Sequence, residues 1–100
     1  PMCDAPADQL GAWASAGAAE DSITILEGLR DGFGAARISY APGCGLTESI
    51  VGGVEESRRI AAEAEIVVLC LGEERRTTGE ACSRARPELP QCQIDLAHEV

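Results

Sequence analysis

Apolar side chains recur along this chain at helical spacing in three places and without any period in two. From position 23 onward, Ile23, Leu26, Leu29 and Phe33 fall three or four residues apart, the repeat that stacks side chains on one face of an α-helix. Asp21 or Ser22 can cap such a helix, because a side-chain oxygen there accepts from the N–H groups of the first turn, and Gly34 stands at the C-terminal cap. The pattern predicts a helix over about 23–33. Helical spacing returns over 50–65, where Ile50 or Val51, Val54, Ser57 or Arg58, Ala61 and Ala64 line one face while Glu55, Glu56, Arg59 and Glu63 take the other. Gly52 and Gly53 weaken its first turn by about 1 kcal/mol each relative to alanine, which moves the expected start toward Val54. After Pro90 the spacing resumes through Ile94, Leu96 or Ala97, and Val100.

The two aperiodic runs differ from these. ARISYAPG, 36–43, is short, rich in strand formers and closed by Pro42 and Gly43. EIVVLCLG, 65–72, is apolar without alternation, the pattern of a strand covered on both faces. Residues 1–21 are rich in small residues and read as a loop with a short turn around Asp8 to Trp13. The order helix, strand, helix, strand, long loop, helix predicts an α/β fold, a three-layer sandwich with a mainly parallel sheet and right-handed crossovers. Two strands do not finish such a sheet, so residues 1–100 read as an incomplete piece of a single domain.

Composition narrows the partners. Apolar residues make up 45% of the chain and charged ones 25%, which places it with folded proteins and away from disordered ones. Eight basic against 17 acidic side chains leave a formal charge of −9, which repels phosphate backbones and anionic lipid surfaces. Neither nucleic acid nor a membrane is an expected partner. The start PMCDAPADQL carries neither a basic nor an apolar leader region, so any export signal of the parent lies outside these residues. Localisation stays open between the cytoplasm and the periplasm or exterior. The five cysteines, Cys3, Cys44, Cys70, Cys82 and Cys92, form no CxxC pair and are joined by a single histidine, His98; no metal or cofactor is expected. Their odd number and irregular spacing fit buried or incidental thiols better than a disulfide framework, with a Cys82–Cys92 pair left open.

Candidate chemistry gathers in the loop 72–90. It follows the carboxyl end of an expected strand, where open parallel sheets collect ligands, and it is longer than structureless loops in compact domains usually are. Its carboxylates suit carbohydrate chemistry. Cleaving a glycoside needs one carboxylic acid to protonate the leaving oxygen and one carboxylate across the sugar carbon, about 5 to 5.5 Å away in a retaining enzyme. Glu80, flanked by Gly79 and Ala81, can approach a ligand unobstructed, and Arg84 can hydrogen-bond a sugar hydroxyl or orient a carboxylate. The bland alternative is that a run such as EERR is a solvated surface with compensated charge.

The ordered set PMCDAP, LGAW, AGAAEDSITILEGLR, YAPGC, AEIVVLCLGEE, TGEACSR and LPQCQIDL resembles the C-terminal α/β sandwich domain of family 3 glycoside hydrolases, the β-glucosidase group. It covers nearly the whole chain. The most specific part is a strand ending in GE, then G-E-x-x-S-R, then L-P-x-x-Q-x-x-L. The resemblance implies a two-domain retaining enzyme acting on a β-linked oligosaccharide or glycoside, with its nucleophilic aspartate on a barrel domain of the same chain that is missing from these residues. It assigns the general acid/base role to Glu80, with Glu73 as runner-up or as an anchor of the strand end. Thr78 stands where serine is usual, and Cys82 and Cys92 are unusual for the pattern. An acid/base of this kind must stay protonated near neutral pH, which calls for burial or a neighbouring carboxylate.

Trp13, the only tryptophan, is a candidate for stacking on a sugar face, against the commoner role of anchoring a core or an interface. Asp4, Gly11 and Asp21 read as turn and cap residues, and His98 as a surface or core-edge residue. Two other functions compete. A non-catalytic carbohydrate-binding or structural α/β module would keep the fold with an idle loop. A nucleotide-binding domain would need a glycine-rich phosphate turn, and GCGLTES lacks both GxGxxG and a GK[ST] ending.

Overall fold

Four α-helices hold the regular structure of the chain in a computed structural model that describes residues 1–100. The first, α1 (Pro6–Leu10), lies inside the stretch that the sequence reads as loop. Pro6 presets the backbone angle of the first turn, and Gly11 ends the helix at φ +75, with its N–H donating to the Asp8 carbonyl. The second, α2 (Ile25–Phe33), begins later than expected because its cap is Thr24, in place of Asp21 or Ser22. The Glu27 N–H donates to Thr24 Oγ1 at 3.1 Å while the Thr24 N–H donates to the Glu27 carboxylate at 2.7 Å, so the two residues satisfy each other's free donors. Helix α3 (Gly53–Glu63) starts one residue before Val54, behind Gly52 in the left-handed conformation, and α4 (Gln91–Glu99) follows Pro90 as expected. Three short 3-10 turns, Met2–Asp4, Ala19–Asp21 and Ala35–Arg37, complete the elements.

The expected three-layer α/β sandwich is absent. Neither 36–43 nor 65–72 forms a strand, and the one β-bridge joins Cys44 to Ser49. The physical reason lies in backbone pairing. A strand exists only where a neighbour takes up its N–H and C=O groups, and no backbone hydrogen bond joins these two runs. They border a groove of about 720 Å³ instead, and the run that reads as doubly covered stands open, with Ile66 79% and Val68 59% exposed.

Burial concentrates where α3 meets α4. Leu96 and Gln93 of α4, Ser57 and Gly53 of α3, and the corner Gly43–Cys44 are all buried, with Thr24 and Leu26 of α2 as a smaller second centre. Gly43 sits at φ +71, and the place where a Cβ would stand already holds the two δ-carbons of Leu96 and Ser57 Oγ. Only glycine satisfies both the backbone angle and the packing at that corner.

Candidate functional site

The loop 72–90 is seated by a single side chain of α4. Gln93 is 0% exposed and spends its whole amide on backbone. Its Oε1 accepts from the Gly72 N–H at 2.8 Å, and its Nε2 donates to the carbonyls of Gly72 at 2.8 Å and of Leu46 at 2.6 Å. Two of the quoted motifs therefore meet: the glutamine of LPQCQIDL clamps both polar groups of the glycine in LGEE. Because Gly72 precedes Glu73, the clamp sets the base from which the loop departs.

Glu73 and Arg84 then tie the loop to itself. The Arg84 guanidinium forms an ion pair with Glu73 and donates to the Glu88 carbonyl at 2.6 Å, which joins the two arms of the loop. The Thr77 hydroxyl lies 2.9 Å from Glu73 Oε2 and 2.9 Å from the Glu74 carbonyl. Hydrogen bonding from Arg84, with help from Thr77 and against a partial loss of hydration, holds the Glu73 carboxyl below the usual carboxylate range. A carboxylate held in that way stays ionised at neutral pH and serves as an anchor, and Arg84, the expected sugar ligand, is engaged in holding it.

Glu80 is presented differently. The Cys82 N–H donates to the Gly79 carbonyl at 3.2 Å, closing a four-residue turn with Glu80 and Ala81 at its centre. Gly79 lies at φ +103 and Ala81 at φ +64, so Glu80 stands between two left-handed residues. A turn with positive φ at its third position normally carries glycine there; an alanine costs about 1 kcal/mol. Gly79 matters also for approach, since a Cβ on it would press on Ala12 and reach the Trp13 indole. The Arg75 N–H donates to Asp8 Oδ1 at 2.8 Å, which fastens this end of the loop to α1.

The result is an open hollow of about 580 Å³ between the chain that follows α1 and the 75–82 turn. Glu80, Trp13, Arg75, Arg76, Leu10 and Ala14 are among its walls. Glu80 is exposed, and Trp13 is 74% exposed, so its ring is not a core anchor. Glu80 is the one carboxylate in the lining. The hollow thus offers one proton-transferring group, one aromatic face and two guanidiniums, and it lacks the second carboxylate that a double displacement needs. Elsewhere no three His, Cys, Asp or Glu side chains converge on a point, and His98 is exposed on α4.

The structure brings Glu80 and Trp13 to one hollow, and Glu73 and Arg84 to one ion pair beside it. Sequence reasoning missed Gln93, Asp8 and Thr77, all of which position the loop. Gln93 carried a legible signal: it shares a helix face with Leu96 three residues on, and a polar residue on an apolar face demands partners. Asp8 and Thr77 carried none, since their partners are fixed by tertiary contact.

No protein-family profile matches the chain, and no solved structure matches it. A curated relative does. Over an alignment of 117 positions the chain is 31% identical to a protein named periplasmic beta-glucosidase from Salmonella typhimurium. The match takes in 96% of this chain and 15% of that relative's length, so the chain spans a small part of the protein it resembles.

Proposed function

We propose that this chain contributes the general acid/base carboxylate, Glu80, to a retaining β-glycosidase of the β-glucosidase type in glycoside hydrolase family 3. The nucleophilic carboxylate comes from a barrel domain elsewhere in the parent chain. The observation that carries this reading is the display of Glu80: a turn with left-handed residues on both sides of it holds a lone carboxylate at the rim of a hollow that also has an aromatic face. The 31% identity to a protein named beta-glucosidase supports it. Matching of the TGEACSR segment to the family pattern supports the role of Glu80.

In this mechanism Glu80 gives its proton to the leaving glycosidic oxygen as the nucleophile attacks the sugar carbon, and takes a proton from water when the covalent intermediate is hydrolysed. Trp13 stacks on the C–H face of a sugar ring beside the cleavage point. Glu73 and Arg84 hold the loop and touch no reacting atom. The substrate is a β-linked oligosaccharide or glycoside, and residues 1–100 alone hydrolyse nothing. The relative's name also supports a parent that works in the periplasm or outside the cell.

The test uses the full-length parent with Glu80→Gln, assayed on an aryl glucoside with a poor leaving group. Turnover is expected to fall about 100- to 10,000-fold, with a much smaller loss in glycosylation of a substrate whose leaving group needs no proton. Activity near wild type on the poor substrate removes Glu80 from the reaction and leaves the non-catalytic module as the better account.

A further inference from the structure

Four of the five cysteines meet in pairs that sequence spacing does not suggest. The Met2 N–H donates to the Cys70 carbonyl at 2.9 Å, which lays the Met2–Asp4 turn against the 65–72 segment and sets Cys3 beside Cys70. At the other side of the Gln93 clamp, Cys44 is 2% exposed, and the first turn of α4 sets Cys92 against the same corner. Cys92 Sγ also lies 3.9 Å from the carbonyl of Gly45, the residue next to Cys44. Cys82 has no such neighbour. It is exposed in the Glu80 turn, with its Sγ 3.2 Å from the Arg76 carbonyl, so the Cys82–Cys92 pairing left open by the sequence is not formed.

We propose that Cys3 with Cys70 and Cys44 with Cys92 are two disulfide-forming sites, and that Cys82 stays a free thiol. All five are thiols in this structure. Closure of each pair is a two-electron oxidation by an external disulfide. One cysteine thiolate attacks it and expels one thiol; the second cysteine then attacks the mixed disulfide and expels the other, so one S–S bond forms as one is reduced to two thiols. Two other uses of the pairs fit poorly. A closed zinc site needs four ligands, and no third His, Cys, Asp or Glu joins either pair. A nucleophilic cysteine needs a depressed pKa, whereas burial pushes the thiols of Cys3 and Cys44 up to about 11.

The placement gives the bonds a task. One would pin the Met2–Asp4 turn to the run that ends at Gly72; the other would pin the corner 44–46 to the start of α4. Both groups of atoms that Gln93 clamps, at Gly72 and at Leu46, lie next to one of the pins, so oxidation would stiffen the base of the 72–90 loop. This inference does not depend on any catalytic role for Glu80.

The full chain is refolded from its reduced, denatured form in a glutathione redox buffer, so that burial cannot block access, then quenched with N-ethylmaleimide and mapped by peptide mass spectrometry without reduction. The alkylated thiols are expected to fall from five to one, Cys82, with Cys3–Cys70 and Cys44–Cys92 peptides as the cross-linked species. In a Cys3→Ser, Cys70→Ser chain the Cys44–Cys92 link is expected to persist, and in a Cys44→Ser, Cys92→Ser chain the Cys3–Cys70 link. Five alkylated thiols, the absence of either expected link, or a link through Cys82 overturns the proposal.

Discussion

Among single residues, the pair Glu73 and Arg84 shows how one contact separates two acidic side chains that look alike in sequence. Both Glu73 and Glu80 follow a glycine in the same loop, yet Glu73 is ion-paired to Arg84 and Glu80 faces the hollow. The pairing has a signed consequence for pH. The Glu73 carboxyl is held below its ordinary value in the folded state, so the contribution of the pair is present above the unfolded value and is lost as pH falls through the lower, folded one. The two side chains keep 35% and 24% of their surface in water, which limits the effect to about 1 kcal/mol. Arg84→Met should therefore lower stability by that amount at pH 7 in urea titrations, and the two proteins should converge as pH drops below about 4. An unchanged difference at low pH would show that Arg84 acts through its bond to the Glu88 carbonyl and not through Glu73.

Among elements, the clamp between α4 and the loop decides where the candidate site stands. Replacing Gln93 with leucine keeps the side chain's bulk but leaves the Gly72 N–H, the Gly72 carbonyl and the Leu46 carbonyl without their partner. The loss is expected to be about 1–3 kcal/mol in urea unfolding, with faster amide exchange at Gly72 and in the loop beyond it. Equal exchange in the two proteins would mean that the loop is held elsewhere. The elements themselves were legible to unequal degrees. Helices α2, α3 and α4 announced themselves because an amphipathic repeat is local, written within one turn of its own residues. The cap of α2 was legible too, as Thr24 followed three residues later by Glu27, but the neighbouring Asp21 and Ser22 offered an equally plausible oxygen. Helix α1 has five residues, too short for any period to show. The two expected strands failed for the opposite reason: their apolar composition is local, but a ladder is a relation between distant segments.

For the whole molecule, eight buried residues in 100 make a small core, and the chain extends 42 × 30 × 20 Å. Its radius of gyration, 14.5 Å, exceeds the roughly 13 Å usual for a compact domain of this length. Ile66, Val67, Val68 and Leu69 are exposed in an unbroken row, an apolar patch of the kind that drives separate chains to associate. As a separate polypeptide, residues 1–100 should scatter light in a concentration-dependent way and bind a hydrophobic dye. An Ile66→Lys, Val68→Lys chain should reduce both several-fold, and undiminished association would locate the adhesive surface elsewhere. The candidate site shows the same division between local and distant information. By itself the sequence determined the three longer helices and the acidic charge, and it singled out the 72–90 loop and Glu80 as candidates, since each rests on residue types and near-neighbour spacing. Tertiary structure alone decided that Trp13 and Glu80 share a hollow, that Arg84 is engaged with Glu73, that Gln93 seats the loop, and that the apolar runs stay unpaired. Those facts join residues from 11 to 67 positions apart, and only the path of the backbone through space fixes which of these groups meet.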